Sequence, residues 1–99
     1  MEKTKKDWVI GISGTELDSI SLFILKNKTA QEVKKYLASL VRDAKKEDKE
    51  KYGESTFETG TTSAKDIEGT NRLEAYACFT NYHINWTAQP IDKITIIED

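Results

Sequence analysis

At 99 residues, with 15 Lys and Arg against 17 Asp and Glu and a net charge of −2, the chain has the length of one domain and argues against both a second core and a domain-wide basic surface for nucleic acid. A single cysteine excludes an intrachain disulfide framework and fits a reducing compartment. Charge is uneven along the chain: positions 1–53 hold 12 basic and 9 acidic residues, giving +3, and positions 54–99 hold 3 and 8, giving −5.

Residues 1–6 are polar and are expected to form a flexible N-terminus. The apolar run that follows breaks at Gly11 and Ser13, so it supplies no signal-peptide core. The longest purely apolar run, Leu22 to Leu25, is far below the ~20 residues of a membrane span. The expectation is a soluble, cytoplasmic protein with no membrane segment.

Asp7 to Ser13 alternates as a first strand, with Trp8, Ile10 and Ile12 on one face. Gly14 to Ser19 carries turn chemistry, and Ile20 to Leu25 reads as a second strand that completes a hairpin. Being apolar on both faces beyond Ser21, this second strand is expected inside the sheet rather than at its edge.

The helix from Thr29 to Lys49 sorts its side chains into three arcs. Val33, Tyr36, Leu37, Leu40, Val41 and Ala44 share one side; Lys34, Lys35, Arg42, Lys45, Lys46 and Lys49 take the opposite side; Glu32, Asp43, Glu47 and Glu50 fill much of the rest. Thr29-Ala30-Gln31-Glu32 spells a capping box, and Gly53 is placed as a C-terminal stop. Asp48 falls near the apolar arc, so packing is expected to end soon after Ala44, with Lys45 to Lys51 reaching into solvent.

Residues 53–71, rich in Gly, Ser and Thr, read as a long loop, with one helical turn starting at Ser63-Ala64-Lys65-Asp66. Leu73, Ala75, Ala77 and Phe79 alternate as a third strand. Thr80 to His83 is the turn into a fourth, in which Ile84, Trp86 and Ala88 share a face, and Lys93 to Ile97 forms a fifth after Pro90. The order β-β-α-β-β-β over a single domain, 1–99, predicts an α+β two-layer sandwich: one main helix on an antiparallel or mixed sheet, β-grasp-like in outline.

Chemistry-bearing residues are sparse. Cys78 and His83 are the only cysteine and histidine; a nucleophile pair would need them in contact, with a third group orienting the base. Two such ligands fall short of a zinc site, which usually takes four. Gly11 to Thr15 lacks the lysine and spacing of a phosphate loop. No catalytic residue, metal ligand or cofactor site is therefore assigned. Lys35, Arg42, Lys46 and Lys49 remain, keeping to one arc where a purely solubilising face commonly mixes signs. The ordinary reading of that arc is solvation; the sharper one is docking. Tyr82, in the turn beside His83, is the fifth candidate partner-binding residue.

Ser13-Gly14-Thr15, Asp18-Ser19-Ile20, Lys28 to Leu37, Ala75 to Phe79 and Tyr82 to Ala88 resemble segments of small uncharacterised proteins of Gram-positive bacteria and their phages or mobile elements. The resemblance spans most of the chain and carries no activity, ligand or functional residue. A shorter likeness, resting on Ser13-Gly14-Thr15 and Ser19-Ile20, relates Asp7 to Lys26 to the strand pair of a small acidic phage inhibitor of a CRISPR nuclease. It implies partner binding.

The first expectation is thus a non-enzymatic protein-interaction or regulatory module with an unidentified protein partner. The second is a nucleic-acid-associated protein using the basic helix face, against which net charge speaks. The third is an enzyme or enzyme subunit built on Cys78 and His83.

Overall fold

The computed structural model describes residues 4–15, 21–60, 65–66 and 72–93. In chain order these form β1 (Lys6–Gly14), β2 (Ser21–Lys28), α1 (Ala30–Tyr52), β3 (Phe57–Gly60), β4 (Lys65–Asp66), β5 (Leu73–Phe79), β6 (His83–Pro90) and a 3₁₀ turn (Ile91–Lys93). Every ladder is antiparallel, in the order β2-β1-β6-β5-β3, with the short β4 also on β5. One helix packed on one sheet is the α+β sandwich that the alternation predicted. The first and last long strands, β1 and β6, adjoin at the centre as in a β-grasp, although they run antiparallel.

Register explains which residues make the core. Ile10 lies opposite both Phe23 and Ala88, and Trp86 lies opposite both Ile12 and Ala75, so one face of four strands carries a continuous apolar surface. Against it α1 buries Val33, Leu37, Val41 and Ala44, the stripe read from the 3.6-residue period. Small residues at Ala75, Ala77 and Ala88 let the helix approach, while Trp8, Trp86 and Phe79 fill the flanks. Burying Trp8 leaves its indole N–H satisfied, since it donates to the Lys28 carbonyl at 3.1 Å.

The ends of α1 are fixed by short-range chemistry. The Thr29 hydroxyl accepts from the Glu32 amide at 3.1 Å, and the Glu32 carboxylate accepts from the Thr29 amide at 2.9 Å, completing the capping box. At the other end Gly53 adopts φ 78°, a left-handed conformation that a Cβ would strain. Helical packing does not stop near Ala44 as the sequence implied: Asp48, a full turn further on, is 1% exposed and α1 continues to Tyr52. The reason is hydrogen bonding from Thr56 and Tyr82, which makes a carboxylate tolerable at a position the wheel marks as apolar.

Three further expectations are revised. β2 is an edge strand among the described residues, pairing with β1 alone, and its second apolar face, carrying Leu22 and Ile24, is left open. The segment expected as a long loop contains β3 and β4, which pair with β5 through backbone groups that composition does not reveal. Lys65–Asp66 is strand where a helical turn was placed, and Ser63 and Ala64 lie outside the described residues. The expected fifth strand begins on Lys93, which closes the 3₁₀ turn, and its other residues lie outside those described. That turn stays close to β1 through a 3.2 Å ion pair between Lys6 and Asp92.

Candidate functional site

Because α1 covers one sheet face with one of its sides, its opposite side points away from the whole sheet. Lys35, Arg42, Lys46 and Lys49 are all exposed there. None of the four is ion-paired among the described residues, although Asp43, Glu47 and Glu50 stand exposed on the adjoining arc of the same helix. Lys45, at the margin of the same arc, differs: its ammonium sits 4.3 Å from the Phe57 ring centroid and helps hold β3 against the helix. The helix is about 35 Å long at 1.5 Å per residue, so the four cations form a ridge rather than a cluster.

Tyr82, the fifth candidate, is placed differently. Its hydroxyl donates to Asp48 Oδ1 at 2.7 Å and its ring stacks on Phe79 with centroids 4.6 Å apart. Asp48 also accepts from the Thr56 amide at 2.6 Å and from the Thr56 hydroxyl at 2.7 Å. The Thr56 carbonyl in turn accepts from the Thr80 amide at 3.0 Å. One carboxylate thus ties the far half of α1 to the entry of β3 and to the β5–β6 turn. Burial alone pushes the Asp48 carboxyl up, but the Thr56 amide, the Tyr82 hydroxyl and the Thr56 hydroxyl outweigh it, with nearby Lys51 adding to them, and the net shift is downward. Its position on the apolar arc is the sequence signal for this network, and that position alone does not reveal the bonding partners.

Beside this network lies a cavity of about 160 Å³, lined by Ala44, Glu47, Asp48, Lys51, Tyr82, His83 and Ile84. That is smaller than the roughly 300–1,000 Å³ of ordinary small-molecule pockets, and the buried carboxylate in its wall is already bonded three times. A more open depression of about 350 Å³ at the start of α1 is lined by Lys5, Thr29, Gln31, Glu32 and Lys35. There Thr29 and Glu32 are engaged with each other's backbone amides. The Thr29 amide holds the Glu32 carboxyl below its ordinary value.

Cys78 and His83 are direct cross-strand partners on β5 and β6. Side chains in such a pair have Cβ atoms about 4.5–5.5 Å apart. The imidazole, however, is bonded elsewhere: His83 Nδ1 lies 2.6 Å from the Thr15 hydroxyl, and the Thr15 amide donates to the His83 carbonyl at 3.1 Å. Gly14 makes this approach possible, since a Cβ there would collide with the His83 carbonyl oxygen. Among the described residues the Cys78 thiol has a long 3.9 Å contact to the Phe79 carbonyl. Among the described residues no group of three or more His, Cys, Asp or Glu is placed to hold a metal ion, and no helix is long and apolar enough to cross a membrane.

The sheet face turned away from α1 carries the last notable surface. Leu22 and Ile24 of β2 are 68% and 52% exposed, and Tyr76 of β5 is 40% exposed. Leu22 leans over Gly11, its register partner on β1. Comparison of the chain with protein-family models, with curated proteins and with solved structures finds no match.

Proposed function

We propose that the protein is a small non-enzymatic interaction module that docks a partner protein with an acidic surface through the α1 ridge of Lys35, Arg42, Lys46 and Lys49. The observation that carries this reading is that the four cations of the ridge have no ion-pair partner among the described residues, although carboxylates stand exposed on the adjoining arc. Forming such pairs would stabilise the helix only slightly, by roughly 0.2–0.5 kcal/mol each. Leaving them unformed keeps the ridge available to a partner at little cost to the fold.

The acidic arc favours a protein partner over nucleic acid. Asp43, Glu47 and Glu50 run beside the basic ridge, so a uniform polyanion broad enough to span both arcs meets repulsion along one flank, whereas a partner with its own paired acidic and basic features complements both. In the 160 Å³ cavity the buried carboxylate of Asp48 is already bonded to Thr56 and Tyr82, and this engagement supports a docking role over catalysis there. Anisotropy titrations against labelled duplex DNA and against a labelled polypeptide that pairs an acidic block with a basic one test the choice. The polypeptide should bind and the duplex should bind weakly; tight duplex binding that falls steeply with salt would favour the nucleic-acid reading instead.

A further inference from the structure

We infer that the protein self-associates through the free edge of β2, with two copies pairing antiparallel about a twofold axis at Phe23. β2 is the terminal strand of the sheet among the described residues, so one row of its backbone groups has no ladder partner there. Edge strands are ordinarily protected by charge, proline or a bulge. Ser21 to Leu25 contains none of these. The protective features all fall at the other end of the strand: Lys26, Lys28, the register irregularity that gives β2 one extra residue after Leu25, and Asn27 at φ 58° with its amide held by Asp7.

The side-chain pattern selects a second copy as the occupant and fixes its register. With the axis at Phe23, Leu22 of each copy lies opposite Ile24 of the other, so the two most exposed large apolar side chains cover each other twice on the open face. Moving the axis one residue to Ile24 would set each Leu22 against a lysine, Lys26. Charge supports the antiparallel direction. Lys26 and Lys28 lie at one end of β2; antiparallel copies keep the two pairs of lysines at opposite ends of the seam, whereas parallel copies would stack lysine beside lysine.

An axis of this kind stands normal to the sheet, so both helices remain on the same side of one continuous sheet. Two basic ridges then face the same way, which would strengthen attachment to any surface that offers two docking points. The self-association itself does not depend on what the ridge binds.

Sedimentation equilibrium from nanomolar to high micromolar protein tests the inference. The wild-type chain should pass from monomer to a species of twice the mass. Leu22→Lys and Ile24→Glu, both at exposed positions, should each keep the wild-type circular dichroism and a cooperative melt, with a midpoint that no longer rises with protein concentration, and stay monomeric. An equimolar mixture of the two variants should recover a dimer, since the register places the new lysine of one against the new glutamate of the other and leaves one Leu22–Ile24 contact intact. A wild-type chain that is monomeric throughout, or a dimer that survives Leu22→Lys, would overturn the inference; a mixture that fails to associate would overturn the register.

Discussion

The Tyr82 hydroxyl donates to Asp48 Oδ1 at 2.7 Å across 34 residues of sequence, joining the last turns of α1 to the turn between β5 and β6. Thr56 completes the junction from a third element with two bonds of its own. Tyr82→Phe removes one of three bonds and keeps the ring stack on Phe79, so it should lower the urea midpoint moderately. Asp48→Ala strands the Tyr82 hydroxyl and the Thr56 donors together and should lower it more. Wild-type midpoints in both variants would mean that the junction contributes little.

The same carboxylate gives stability a pH dependence with a definite sign. Asp48 and Glu32 both lie below their ordinary values of 3.8 and 4.5, so each binds its proton less readily in the folded than in the unfolded chain. Their contribution is complete above those ordinary values and is lost as pH falls through the lower folded-state values. Thermal melts between neutral pH and strong acid should show this decline, and Asp48→Asn should flatten it. An acid limb unchanged in Asp48→Asn would show that the decline arises elsewhere.

Core and cap substitutions should separate by size. Thr29→Ala removes the side-chain half of the capping box and should cost about 0.5–2 kcal/mol. Leu37→Ala opens a cavity at a fully buried position and should cost about 2–5 kcal/mol. Chemical denaturation with matched m-values checks both. The reverse order would contradict the placement of the helix on the sheet.

Periodicity made α1, β1, β5 and β6 legible, because each has one apolar and one polar face and the capping box marks where the helix begins. It failed where burial and polarity part. Asp48 sits among apolar positions because its bonding partners, Thr56 and Tyr82, come from distant segments that no local pattern connects to it. Leu22 and Ile24 misled in the opposite direction: apolar side chains on both faces of β2 read as double burial, while one face stays open. β3 was invisible because Phe57-Glu58-Thr59-Gly60 has little alternation and is held mainly by the neighbouring strand and by Lys45 over Phe57. Of the candidate site, the basic arc was readable from helical spacing; the engagement of Tyr82 in the fold was not.

For Cys78 and His83 the expected result is negative. Cys78→Ser and His83→Ala should leave folding and partner binding unchanged, since the imidazole bonds Thr15 and neither side chain enters the ridge. Elemental analysis of the purified protein should find no stoichiometric metal. Loss of partner binding in both variants with folding intact would revive an active-site reading of the pair.

Quantitative affinity capture from the native host tests the central claim most directly, comparing the wild-type chain with one carrying Lys35→Gln, Arg42→Gln, Lys46→Gln and Lys49→Gln together. Surface changes of this kind usually move stability by no more than about 0.5 kcal/mol each, so the variant should fold, as circular dichroism can verify. The account predicts a partner that binds the wild-type chain, withstands nuclease treatment and is lost from the folded variant. Undiminished capture by that variant would contradict it and leave the basic ridge as a solvated helix face.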